Sequence, residues 1–170
     1  DGRENTVEAK EIAPWGKLLK SSQFWSLGLQ FMITDYIMYV FLAWLPLYLM
    51  EVHGFSLSKM GLWAAAPWLS LMAVVSCCGY LSDKAIAAGF SQNLVKTSTG
   101  AVGILLCACT LFIATRTADP MMNVFWLSVA LGSLGLTMSA SWSSVISMGG
   151  RFAGSVSGWM NFWGNIGGVL

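Results

Sequence analysis

The sequence predicts an all-α integral membrane protein, and three observations carry that prediction. Of its 170 residues, 56% are hydrophobic and only 10% are charged, against roughly 25% charged residues in a soluble domain. Five apolar stretches recur along the chain, each long enough to cross a hydrocarbon core of about 30 Å at roughly 1.5 Å per residue of helix. The charges gather between those stretches, and Asp35 alone is placed well inside one. A net charge of +1 offers no electrostatic footprint for a nucleic acid.

Taken in order, residues 1–22 (DGRENTVEAKEIAPWGKLLKSS) are too charged for a signal peptide and read as the end of a hydrophilic linker. They close in a short amphipathic piece, Trp15, Leu18 and Leu19, suited to a membrane surface. The chain starts without methionine and stops at Leu170 inside an apolar run, so it reads as a fragment. The expected spans are 24–50, 57–81, 94–115, 121–147 and 153–170.

The first span contains FMITDYIMYVFLAWLPLYLM, residues 31–50. An ionised carboxylate facing lipid costs a few kcal/mol or more, so Asp35 is expected to face protein or a water-filled cavity, as a proton or substrate site or as a structural acid bonded to a neighbouring helix. Tyr39 lies one helical turn on, and Tyr36 is adjacent. Pro46 interrupts the outer part of this helix, which requires neighbours or water to satisfy the freed carbonyl. The second and third spans hold Cys77, Cys78, Cys107 and Cys109, read as free packed thiols with no metal-ligand spacing. In the fourth, Ser139, Trp142 and Ser143 have spacings that place them on one face, while Ser141 points away from Ser139. The fifth has Asn161 and Asn165 one turn apart, whose amides must bridge helices or line a cavity. It also has two small-xxx-small pairs, Gly154 with Gly158 and Gly164 with Gly168, which suit close helix packing.

Orientation follows from the basic residues. Arg3, Lys10, Lys17 and Lys20 in the leading segment, Lys84 and Lys96 in the second loop and Arg151 in the fourth fall to one side and Lys59 and Arg116 to the other, seven against two. The positive-inside rule makes the first side cytoplasmic, with Glu51, His53 and Asp119 outside. His53, in the short connection EVHGFSLSK, reads as an exposed loop histidine without chemistry.

Three stretches, WLPLYLMEVHGFSLSKMGLWAAAPWL, GYLSDKAIAAGFSQNLVK and RFAGSVSGWMNFWGNIGG, resemble the carboxy-terminal half of major facilitator superfamily transporters, and more narrowly the anion:cation symporter family. The resemblance covers nearly the whole chain from Trp15 and implies helices seven to eleven of twelve, most of one six-helix half. Gly79, Asp83 and Lys84 match the gating-loop motif of that superfamily, although basic residues thin out after Lys84. A carboxylate there can accept from exposed amides of the opposite domain and hold one conformation closed.

The resemblance further implies alternating access about a site near the membrane midplane. The repeat-initiating helices carry Asp35, Tyr36 and Tyr39, and Ser139, Ser141 and Trp142; Asn161 matches a family asparagine on the eleventh helix, and Asn165 lies one turn beyond it. These are the candidate contacts for a sugar acid or related carboxylate, with Asp35 a candidate for proton coupling, or sodium in its place. No Lys or Arg is read well inside a span, so the basic residue that meets the anion is expected from the missing amino-terminal half. No cofactor and no metal are implied, and the expected setting is the lipid bilayer of a bacterial inner membrane. Two rival readings stand beside transport. An intramembrane enzyme is disfavoured because GSVSG at Gly154 has Ser155 where the Gly-x-Ser-Gly pattern needs glycine. A non-transporting scaffold or assembly subunit explains the glycines but not polar marks on three helices.

Overall fold

A computed structural model describes residues 13–170, and the part of the leading linker at 1–12 lies outside them. The described chain is helical throughout: α1 (Trp15–Leu18), α2 (Ser22–Glu51), α3 (Leu57–Ala87), α4 (Gln92–Arg116), α5 (Pro120–Gly149) and α6 (Ala153–Val169). The helix starts are marked locally. Ser56 caps α3 by accepting from the Lys59 amide at 3.4 Å, and Asp119 caps α5 by accepting from the Met122 amide at 2.8 Å, with Pro120 at the first helical position. Pro46 does not end α2, which remains helical to Glu51.

The helices α2, α3 and α4 and the run 120–169 are each long and apolar enough to cross a membrane. The sequence divides that last run into two spans, whereas the structure leaves only the 3-10 turn Gly150–Phe152 between its helices. Gly150 has φ 48° and ψ −120°, a backbone state open to glycine, and the chain reverses there. With 17 residues, α6 spans about 26 Å.

Direction can be read from which residues meet. Going up α2, Phe24 meets Trp159, and Met32 meets Gly167, so α2 and α6 run parallel. Gln30 of α2 bonds Ser141 and Phe31 packs on Trp142, whereas Phe24 shares a cluster with Val145, so α2 and α5 are antiparallel. Gly132 lies on Ser70 and Gly135 on Leu71 and Val75, making α3 parallel to α5, while Gly100 and Gly103 face Ala140 and Thr137, making α4 antiparallel to α5. Helix α5 is therefore the shared inner helix, and Leu131, Leu134 and Ala130 on it are fully buried. Two apolar cores flank it, one around Phe41, Leu45, Leu49 and Leu134, the other around Phe24, Phe31, Val156 and Met160. At the Trp15 end, Trp15 packs edge-on to Phe24 at 6.4 Å, so the short amphipathic piece rests on the second core.

Candidate functional site

Helices α2, α5 and α6 converge with α3 on a cleft of about 400 Å³, lined among others by Asp35, Tyr39, Trp68, Met138, Trp142 and Asn161. Asp35 and Tyr39 stand one turn apart on α2 and so share a face. Trp142 is held edge-on to Phe31 at 6.2 Å between ring centres. Its position and that of Tyr39 leave both rings half open to the cleft, 37% and 41% exposed. The wall formed by α6 comes close because it is glycine at the contact. A Cβ at Gly164 would overlap the Asp35 carboxylate, one at Gly167 the Met32 carbonyl, and one at Gly168 the Tyr39 ring. The arrangement places a carboxylate, a phenol, an indole and an amide around one space. Such groups can hydrogen-bond the hydroxyls of a small polar molecule and cover its apolar face. None of the residues lining the cleft is basic.

The other expected contacts are distributed elsewhere. Tyr36 is 46% exposed and does not line the cleft. Ser139, Trp142 and Ser143 do not form one face in practice. Ser139 and Ser143 line a separate cavity of about 50 Å³ with Asp83 and Lys96, while Trp142 turns to the cleft. The reason is geometric: spacings of three and four cover a wide stripe of helix, wide enough to touch two neighbours. Ser141 is buried and donates to the Thr137 carbonyl at 2.9 Å while accepting from Gln30 Nε2 at 3.2 Å. Asn165 Nδ2 donates to the Asn161 carbonyl at 2.8 Å, so this amide serves its own helix. Gly154 and Gly158 have open space where a Cβ would stand; only the pair Gly164 and Gly168, with Gly167, packs against a helix.

The residues expected in a gating loop are helical, because α3 continues past Gly79, Asp83 and Lys84 to Ala87. Asp83 is exposed on the last turns, and Lys84 Nζ lies 4.6 Å from the Tyr80 ring centre. Lys96 is corrected more sharply: α4 already begins at Gln92, so Lys96 is a helical residue, only 9% exposed, and not part of a loop. Its ammonium donates to the Ser143 carbonyl at 3.0 Å and to Ser147 Oγ at 2.8 Å, near the C-terminal end of α5. His53 is half-buried rather than a free loop side chain. Its Nε2 is 3.2 Å from the Tyr48 hydroxyl, and its ring stands edge-on to the Tyr48 ring. All four cysteines are free, Cys78 and Cys107 buried, Cys77 and Cys109 exposed. Sequence reasoning passed over Trp68, Met138 and Gln30. Gln30 carried the same signal as Asp35, a polar side chain within an apolar span; Trp68 and Met138 carried none, since any apolar span contains such residues.

Comparison with known proteins adds a family and a scale. The family model described as Major Facilitator Superfamily matches residues 2–170. The chain is 28% identical over 161 residues to the Probable anion transporter 1, chloroplastic, of Oryza sativa subsp. japonica, covering 95% of this chain and 30% of that protein. It is 30% identical over 164 residues to the Probable sulfoacetate transporter SauU of Cupriavidus necator, covering 95% and 37%. To the D-galactonate transporter of Escherichia coli O6:H1 it is 31% identical over 133 residues, covering 78% and 30%. The chain thus spans about a third of the length of the curated relatives it matches.

Proposed function

The chain belongs to the major facilitator superfamily, and from that premise we propose that it is part of a multi-pass secondary transporter of small organic anions that works by alternating access. The observation that carries the proposal is the cleft, where polar and aromatic side chains from α2, α5 and α6 meet among membrane-spanning helices. The names of the relatives, which include an anion, a sulfoacetate and a D-galactonate transporter, support an anionic substrate. A sugar acid or related carboxylate suits the cleft best, because Asn161 and Tyr39 can each position a substrate hydroxyl and reject an analogue without it.

The charge of that substrate sets a further requirement. The cleft presents an acid and no base, so the cation that meets the anion is assigned to the remainder of the transporter, in keeping with the greater length of the relatives. Asp35 is then the coupling or hydrogen-bonding partner rather than the substrate's counter-charge. The basic residues of the Ser22 end, Lys17, Lys20, Lys84, Lys96 and Arg151, put that end on the cytoplasmic side of the proposed topology. Chloroplastic and bacterial transporters both stand among the relatives, and the proposed setting is a bacterial cytoplasmic membrane.

The test is substrate-driven proton uptake by the full-length transporter in liposomes, with D-galactonate and sulfoacetate as probes. Asp35→Asn holds size and hydrogen bonding while fixing the charge at zero. With Asp35 as coupling site, proton-driven accumulation collapses in that variant and substrate exchange, which moves no net proton, survives. Uptake of neither probe, or of both without accompanying protons, would sink the proton-coupled reading.

A further inference from the structure

Away from the cleft, the first turns of α2 and α4 and the last turns of α5 enclose a second basin of about 500 Å³. Apart from Leu27 and Met148, every residue lining it is polar, and no carboxylate is among them. On α2, Ser22, Ser26 and Gln30 stand one turn apart as a polar stripe; α4 contributes Lys96 and Thr97, and α5 contributes Ser147. Gln30 bonds Ser141 across to α5, but Ser22 and Ser26 are exposed and make no side-chain bond to another helix among the described residues, and none of the three lines the substrate cleft. We propose that this basin is a binding site for a phosphate-class anion, either the headgroup of an anionic phospholipid or free phosphate.

The argument rests on the donors. Lys96 is held at the wall by its bonds to the Ser143 carbonyl and Ser147 Oγ. An ammonium has three donors, so one remains uncommitted among the described residues. The same basin is lined by Gln30, which keeps a second amide N–H beyond the one given to Ser141, and by Ser22, Ser26 and Thr97, and a tetrahedral oxyanion accepts from several such groups at once. The two helix starts add to the same sign. The N-cap residues Ser21 and Ser91 make no side-chain hydrogen bond to the first turns of α2 and α4, and the first-turn residues Ser22, Gln23, Gln92 and Asn93 line the basin, so the positive ends of two long helices lie beside it. The volume exceeds that of a bare phosphate, which leaves room for the ester groups of a lipid.

Two arms distinguish the sources. The purified full-length protein is placed in nanodiscs of equal parts phosphatidylcholine and phosphatidylglycerol, and the lipids it retains are identified by native mass spectrometry. In parallel, delipidated protein in detergent is titrated calorimetrically with inorganic phosphate. Lys96→Gln removes the charge, and Ser26→Asp puts a carboxylate on the exposed wall, so the second variant decides the matter if the first does not fold. A lipid site retains phosphatidylglycerol preferentially, with the preference falling about tenfold in either folded variant, as expected for the loss of one charge-assisted contact. A free-anion site shows saturable phosphate binding with no lipid preference, again lost in the variants. Absence of both signals in the parent, or their persistence unchanged in a folded variant, overturns the proposal.

Discussion

The contact between α4 and α5 and the contact between α2 and α6 are both built on glycine, yet they are fastened in different ways. At the first, Gly103 receives Thr137 and the Ser133 carbonyl, and Thr137 Oγ1 donates to the Gly100 carbonyl at 3.0 Å. Lys96 ties one end of this pair, and Asn123 Nδ2, donating to the Ala114 carbonyl at 2.8 Å, ties the other. At the second, Gly164, Gly167 and Gly168 bring α6 against Asp35, Met32 and Tyr39, but among the described residues no side-chain hydrogen bond crosses from α2 to α6. Cohesion there comes from an aromatic cluster at the Ser22 end, with Phe24 stacked on Trp159 at 4.9 Å and Trp25 edge-on at 5.1 Å. A helix pair can be held by hydrogen bonds across the contact or by close packing at small residues alone. The difference teaches that one part of the bundle is bonded across its contact, a block, and the other, which carries the candidate site, is a seam held by packing alone.

The strongest way to break this comparison is to disrupt the bonded block. Gly103→Val would drive a branched side chain into Thr137 and the Ser133 carbonyl, and a rigid, hydrogen-bonded pair has no room to yield. The expected loss is about 3 kcal/mol of stability, the upper end for overpacking, read as a clear fall in melting temperature. A variant that melts with the parent would show that α4 and α5 slide freely, and the contrast between the two contacts would be lost.

Gly164→Ala probes the seam and should cost less, about 2 kcal/mol, since the Asp35 side chain can turn away from the new methyl group where backbone cannot. Because Asp35 is the group displaced, the cost should depend on it. In a double-mutant cycle with Asp35→Ala, the two changes should couple, the second removing most of the penalty of the first. Strict additivity would mean that the Phe31 ring, the other neighbour of a Cβ at this position, bears the whole penalty.

How much of this was legible in the sequence depends on the kind of signal. Long apolar runs announce helices regardless of partners, so the all-α membrane fold was readable, and so were Asp35 and Asn161, because a polar group in such a run calls for a polar surrounding. Which polar groups share a space was not readable. Ser139 and Trp142 lie close enough on α5 to look like one face, yet they border different neighbours. Lys96 was assigned to a loop on its charge alone, although a lysine whose head reaches the end of a facing helix can sit within a helix.

Those misplacements sharpen the third prediction. Asn161→Ala removes an amide from the cleft and should weaken binding of a polyhydroxy acid by about 1 kcal/mol, roughly fivefold in Kd. Ser139→Ala acts in the small cavity beside Asp83 and Lys96 and should leave that Kd unchanged. Equal losses in both variants, measured on protein of parental melting temperature, would place Ser139 at the substrate after all and dissolve the boundary between block and seam.

The smallest expected effect is the most discriminating. Gly154 and Gly158 repeat the spacing of Gly164 and Gly168, so sequence alone assigns both pairs the same work, but a Cβ at either of the first two meets nothing within 4 Å. At Gly158→Ala only helix propensity remains to act, and alanine in place of an exposed helical glycine contributes up to about 1 kcal/mol of stability. Gly168→Ala, with the same chemistry ten residues on, runs into the Tyr39 ring and should be destabilising despite the same propensity gain. The two substitutions therefore should have opposite signs in thermal melting. If Gly158→Ala instead lowers the melting temperature or the transport rate of the full-length protein as Gly168→Ala does, then the face of α6 that carries Gly158 is also a close contact. In that case α6 would be closely packed on a further face, and the contrast between block and seam would narrow.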